Sequence, residues 1–334
     1  MPNRGERAYT YAKACGIIGK SFIGSRIARL NSLNRLTDLD RLIFPDSPSE
    51  LPEKELSFHL ERRIAERSAK RIVSIVSSYS DVPKALISLV RAVEVADLKS
   101  ILSALSSGEQ FCPQTIDLGP FSSVAWDAYP ELEKMLADSP YAWVPDFKEK
   151  ANLVQVQSEL DKRYYQGLWL DLQELPNSDR DDFINLIAEE ITIKNIVWSL
   201  RLRFFYKLGG EKLNPYLIDI RQGKVSLADE ARKSEAFGLD RREDWKRWKW
   251  EKLLNPVVHG EIWNLDPRYV QNAASRYLYK RARILFRRKP FAIDSLACFI
   301  KLMQFEEDLL TSIAEGLALG IASKDLLGIL ELSA

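Results

Sequence analysis

Residues 60–78 read LERRIAERSAKRIVSIVSS, and their spacing decides the fold class. Leu60, Ile64, Ala69, Ile72, Val73 and Val76 recur at helical spacing near one side, with arginines and lysines opposite. That is the pattern of an amphipathic helix with one face in a core. DVPKALISLVRAVEVADLKSILSAL, which follows, continues in kind after a break at Asp81–Pro83. The same period predicts helices over 8–30, 151–173, 179–207, 240–254, 268–288 and 291–320, and alternating polar–apolar runs are scarce. The expectation is an all-α protein. Ser178 with Asp181, and Ser226 with Asp229, have the spacing of helix-capping pairs.

Breaks between the helical stretches are marked by proline and glycine. FCPQTIDLGPFSS at 111–123, LADSPYAWVPDF at 136–147 and LLNPVVHGEIWNLDP at 253–267 read as linkers.

Composition narrows the function classes. The chain has 334 residues, enough for two or three domains with their own cores. Its 48 Lys and Arg nearly cancel 47 Asp and Glu, so the net charge of +1 gives no global pull toward nucleic acid or acidic lipid. Cys15, Cys112 and Cys298 are widely spaced and form no Cys-x-x-Cys pair, which argues for a reducing compartment and against a disulfide scaffold or zinc site. His59 and His259 are too few and too far apart to supply metal ligands, and no metal or other cofactor is expected. The start, MPNRGERAYTYAKA, lacks the apolar core of a signal peptide, and no apolar run is long enough to span a bilayer.

Some phrases recur. ELDKRYYQGL at 159–168 and NLDPRYVQNA at 264–273 share Leu-Asp-x-Arg-Tyr. VEVADLKSIL, EEITIKNIVWSL and FEEDLLTSI each place an Asp or Asn before Leu or Ile: Asp97-Leu98, Asn195-Ile196 and Asp308-Leu309. An apolar residue follows four positions later, at Leu102, Leu200 and Ile313. Chance matches arise easily in helical proteins; the other reading is three divergent copies of one helical unit.

Several motifs suggest chemistry and also admit plainer readings. ACGIIGKS at 14–21 differs from a phosphate-binding loop at Ala14, but a helix rather than a strand is expected before it, so a close helix contact is the preferred reading. RREDWKRWKWEKLL at 241–254 interleaves tryptophan with basic residues, as does KRARILFRRK at 280–289 with other apolar groups. Nucleic-acid stacking, a packed tryptophan face edged by lysine stems, and a solvated or protein-docking surface each fit that composition; the solvated or docking surface is preferred, with Arg241, Arg242, Trp245, Arg247 and Trp248 as candidate partner contacts. Glu189-Glu190 and Glu306-Glu307 have no nearby histidine or cysteine to complete an acid–base site, and are read as solvated helix faces. His59 and His259 read as structural or surface residues, Cys112 as a loop thiol and Cys298 as a core thiol.

AYTYAKA, LDKRYYQGLW, EEITIKNIVWSLRLRFFY and FEEDLLTSIAEGLALGI, taken in order, resemble the C-subunit family of V/A-type ATPases, whose eukaryotic counterpart is the d subunit. The family's hairpin phrase is met by Glu190, Ile191, Asn195 and Ile196, with Thr192 where aspartate is more usual. Its closing phrase is met by Glu306, Asp308, Leu309, Glu315, Gly316 and Gly320. Near the start Tyr9 and Tyr11 match, whereas Gly16, Ile17, Ile18 and Gly19 depart from type. The resemblance implies three similar helical bundles in pseudo-three-fold arrangement, forming a funnel. The corresponding domains are 1–115, 116–258 and 259–334, helices from the chain start completing the last. It further implies a non-catalytic connector, peripheral on the cytoplasmic face of a membrane. Its partners would be the D and F subunits of the rotor stalk and the membrane proteolipid ring. A soluble scaffold, or a nucleic-acid binder using 241–254, is the alternative expectation.

Overall fold

A computed structural model describes residues 3–148 and 151–332. The described residues are helical apart from turns, loops and one short two-stranded ribbon, Arg221–Gln222 paired antiparallel with Val225–Ser226. The chain divides into two compact units.

The first unit comprises residues 1–90, 116–121 and 282–334. It contains α1 (Arg4–Ile18), α2 (Leu36–Ile43), α3 (Glu53–Val76) and α4 (Lys84–Val90). α3 buries Leu56, Leu60, Ile64, Ala69, Ile72, Ile75 and Val76, close to the expected face, with Val73 half-buried at its edge. The second unit, residues 91–115 and 122–281, holds α5 (Ala92–Ser107), α6 (Leu132–Leu136), α7 (Val144–Lys148), α8 (Leu153–Gln173), α9 (Asn177–Tyr206), α10 (Asp229–Ser234) and the larger part of α11 (Pro267–Arg288). The chain then returns to the first unit with α12 (Ile293–Ala318) and α13 (Ser323–Ile329). Within the first unit α3 and α12 are the central pair, and α1, α2, α4 and α13 also pack on α12. α12 tolerates this because it is apolar almost all round, burying Leu296, Phe299, Ile300, Met303, Leu310 and Ile313 among others.

In the second unit, α5, α6, α7 and α8 share a core that includes Leu98, Leu102, Met135, Val144 and Leu160. α9, the 245–265 segment and α11 share another, with Ile196, Leu200, Trp245, Trp250, Trp263 and Val270. The apolar partners of all three Asp/Asn-Leu/Ile phrases are core residues: Leu98, Leu102, Ile196, Leu200, Leu309 and Ile313 are each at most 3% exposed.

Local structure corrects several expectations. The helix predicted over 8–30 is α1 followed by a 3-10 turn at Gly24–Leu30. The helix predicted over 240–254 does not form: two 3-10 turns, Arg242–Trp245 and Glu251–Leu253, stand in its place, and Arg247 between them has φ +71°. Ser178 lies inside α9, which opens after Pro176, so it caps nothing. Ser226 sits in the ribbon and donates its N–H to Asp229 at 2.9 Å, half of the expected pairing. The two Leu-Asp-x-Arg-Tyr phrases also differ in context. Asp161 is mid-helix in α8, whereas Asp266 precedes α11 and accepts the Arg268 N–H at 2.8 Å, capping a helix that opens on Pro267.

Candidate functional site: a basic, apolar-tipped surface

The basic aromatic stretch splits into an outside and an inside. Trp245, Trp248 and Trp250 are 0%, 7% and 6% exposed. Trp245 stacks edge-on against Phe237 and Trp248 at ring separations of 5.0 and 5.1 Å and donates its indole N–H to Gly238 O at 2.8 Å. Buried rings offer no face to a base, so the nucleic-acid reading of this stretch loses its stacking platform. As partner contacts, Trp245 and Trp248 are placed behind the surface rather than on it. Arg241 and Arg247 are exposed, and Arg242 is half-buried, pairing with Glu251 at 3.1 Å.

Arg242 also connects this stretch to the next loop, its guanidinium lying 5.8 Å from the Trp263 ring. That loop, 255–266, is closed at its base by Asn255. Its side-chain amide donates to Asn264 O at 2.9 Å, its Oδ1 accepts the Asp266 N–H at 3.0 Å, and its carbonyl accepts the Trp263 indole N–H at 3.0 Å. The tip beyond this clasp carries Val257, Val258 and Ile262, at 59%, 52% and 86% exposure. Gly260 has φ +84°, a conformation that favours glycine. A pinned loop presenting exposed apolar side chains, linked through Arg242 and Trp263 to a stretch with exposed arginines, has the composition of a protein-docking surface. Sequence spacing singles out the arginines but misses the valines and isoleucine, since the linker gives only its proline and glycine as a signal.

Polar clusters tie helices together within each unit. Asp161 of α8 receives Lys99 of α5 at 2.7 Å and Lys194 of α9 at 3.4 Å, so one carboxylate ties three helices. Burial pushes the Lys99 ammonium pKa down, with Asp161 opposing. Tyr165 donates to Glu190 at 2.7 Å, and burial, with Glu190 adding, holds the Tyr165 phenol well above its ordinary range. Asn195 is 1% exposed and bonds the backbone of Ile218 and Leu227. In the first unit, Glu306 is 4% exposed and meets Arg71 at 2.8 Å, Arg67 at 3.5 Å and the Phe22 N–H at 2.8 Å. Burial lowers the Arg67 pKa to about 10 against the opposing pull of Glu306.

These contacts overturn the reading of the acidic pairs as solvated faces. Buried Glu306 is the partner of two arginines, half-buried Glu190 accepts from Tyr165, and Glu189 pairs with Arg281 at 2.9 Å. The three phrase polar residues differ among themselves: Asn195 is buried, Asp97 half-buried and Asp308 exposed. The protein around Asp308 nevertheless raises its carboxyl to about 6 by desolvation, Lys301 opposing. Gly316 and Gly320 serve packing and helix termination. A Cβ on Gly316 would overlap the Leu326 side chain, and Gly320 ends α12 at φ +79°.

The 14–21 string forms the last turns of α1 and the turn beyond it, with Gly19 N–H bonded to Cys15 O. A helix carboxyl end presents carbonyls, whereas a phosphate cradle needs free N–H groups. His59, His259, Cys15 and Cys112 are exposed and Cys298 is buried. Among the described residues no three His, Cys, Asp or Glu side chains gather as metal ligands, and no helix is long and apolar enough to cross a membrane.

Comparison with known proteins gives this architecture relatives. A family model described as ATP synthase (C/AC39) subunit matches residues 48–327. An uncharacterized protein of Treponema pallidum is 28% identical over 319 residues, 94% of this chain and 93% of its own. The C subunit of the A-type ATP synthase of Methanosarcina mazei is 21% identical over 273 residues, 79% of this chain and 72% of that protein. Its counterpart in Methanosarcina barkeri is 20% identical over 224 residues, 64% and 61% of the two chains.

Proposed function

The chain belongs to the ATP synthase (C/AC39) subunit family, and from that membership we propose that it is the non-catalytic central-stalk connector of an A/V-type rotary ATPase. In this reading it joins the soluble rotor shaft, built from the D and F subunits, to the membrane proteolipid ring and sits peripherally on the cytoplasmic face. The family match, over most of an all-helical chain, is the observation that carries the proposal.

A connector has to pass torque without absorbing it. Close-packed helices cross-tied by Asp161 with its two lysines and by Glu306 with its two arginines suit that task, because packed interiors deform little under load. The work is non-covalent; ATP hydrolysis and the ion-binding carboxylates belong to other subunits. Three helical bundles over 1–115, 116–258 and 259–334, in a pseudo-three-fold funnel, remain part of the proposal, with the buried Leu98, Ile196 and Leu309 as their common register. Arg241 and Arg247, with Val257, Val258 and Ile262, are the proposed contact with a protein subunit of the host complex.

Affinity capture of the full-length chain from native membranes, with partners identified by mass, tests this reading. Stalk and ring proteins should be recovered, and Ile262→Asp, a change at an 86% exposed side chain, should reduce their recovery while leaving the fold intact. Recovery of neither the stalk nor the ring contradicts the proposal.

A further inference from the structure

The first unit contains a cavity of about 210 Å3 lined in part by Arg26, Arg283, Arg287 and Gly24, and by Ile18 and Gly19 at the end of α1, where the Ile17 and Ile18 carbonyls already accept the Lys20 and Ser21 N–H groups. No carboxylate is among its lining residues. The volume is several times the ~30 Å3 share of a water molecule, ample for a tetrahedral oxyanion with part of its hydration. Three guanidiniums border this one cavity, and the planar fork of arginine matches phosphate oxygens two at a time.

Two further observations point the same way. The Arg26 Nε–H is buried and has no hydrogen-bond acceptor, a donor left in want of a partner. Gly24 has φ +62°, and a Cβ there would come within 3.3 Å of Arg283 Nη2, so glycine leaves room for that guanidinium at the rim.

The sequence concentrates positive charge at this place despite its near-zero total. From Arg7 to Thr37 there are six lysines and arginines and no aspartate or glutamate, and from Pro267 to Ile293 there are eight and again no acid. The cavity is lined from both acid-free stretches. A local basic field of this kind raises the concentration of anions at the opening even when the molecule as a whole is neutral.

We propose that this arginine-lined cavity binds a phosphate group, with Arg283 and Arg287 closing on its oxygens and Arg26 supplying a further donor. The same chemistry is presented by free inorganic phosphate and by the headgroup of an acidic phospholipid, and the test separates them. The site stands independently of the connector role.

Calorimetric titration of the full-length chain with inorganic phosphate at constant ionic strength is the first arm. One saturable site is expected, weakened about tenfold or more by Arg283→Ala and by Arg287→Ala, and unchanged by Lys224→Ala at an exposed position of the other unit. Arg287→Lys, which keeps the charge and loses the fork, should fall between. Both arginines are exposed, so unaltered thermal melts are expected; should Arg283→Ala fail to fold, Arg287→Gln carries the comparison. The second arm is co-sedimentation with vesicles containing phosphatidic acid, against phosphatidylcholine alone. Arginine-dependent sedimentation without measurable binding of free phosphate identifies the headgroup as the ligand and supports the site. No saturable binding in either arm, or binding that survives both alanine variants, overturns it.

Discussion

Asn195 and Ile218 hydrogen-bond in both directions: the Ile218 N–H donates to Asn195 Oδ1 at 2.8 Å, and Asn195 Nδ2–H donates to Ile218 O at 2.9 Å. The same amide nitrogen reaches Leu227 O at 3.2 Å, so one side chain on α9 fixes both flanks of the 221–226 ribbon. Asn195→Leu would keep the volume and leave these backbone groups buried without partners. The expected loss is roughly 3 kcal/mol of folding stability, read from urea unfolding midpoints. A change below about 0.5 kcal/mol would show that the side chain is not the clasp the geometry makes it.

Glu306 is the corresponding point in the first unit. Removing its charge in Glu306→Gln leaves Arg67 and Arg71 facing each other in a poorly hydrated setting, at a cost of about 3–5 kcal/mol in equilibrium unfolding. Arg71→Met in that background should recover part of the loss, because it removes one of the two uncompensated charges. Strictly additive effects in this pair would contradict the coupling seen at 2.8 Å.

How far such features can be read from the sequence depends on where their partners lie. α3, α8, α9, α11 and α12 follow from apolar spacing alone, since each buries a face along its own length. Glu306 and Glu190 read as solvated because a sequence shows the carboxylate but not its partner: Arg71 is 235 positions from Glu306. The 240–254 stretch departs from its expected helix for another reason. Its tryptophans fit a helix as well as a loop, and tertiary packing decides, drawing Trp245, Trp248 and Trp250 into one core with Trp263 while Arg247 turns left-handed between them. Val257, Val258 and Ile262, exposed at the loop tip, carry no periodic signal, because exposed loop residues answer to no packing repeat.

The two glycines of the closing phrase make separable predictions. Gly316→Ala forces Leu326 to move, and should cost about 1–3 kcal/mol as an overpacked contact between α12 and α13. Gly320 closes α12 with Ile321 N–H on Gly316 O at 2.9 Å and its own N–H on Leu317 O at 3.0 Å. Gly320→Ala meets no steric neighbour but must hold φ +79°, costing about 1–2 kcal/mol. Gly320→Asn should cost less than Gly320→Ala, since asparagine tolerates that conformation; equal losses would contradict a conformational cause.

Asp308 links stability to pH. Its folded-state pKa is raised from 3.8 to about 6, so the folded chain binds the proton more tightly than the unfolded chain does. The associated stability is present below the unfolded value and is lost as pH rises through about 6. Asp308→Asn should therefore flatten the decline in unfolding free energy between about pH 4 and about pH 7, with the variant the more stable at the upper end. A carboxyl carbon resonance titrating near the ordinary aspartate value would refute the shift.

The most direct test of the connector role is reconstitution of the host rotary complex into vesicles with and without this chain, measuring ATP hydrolysis and ATP-driven ion uptake side by side. Omission should leave hydrolysis by the soluble head in place and abolish the uptake linked to it, and adding the chain back should restore the linkage. Undiminished ATP-driven uptake in its absence would contradict the account.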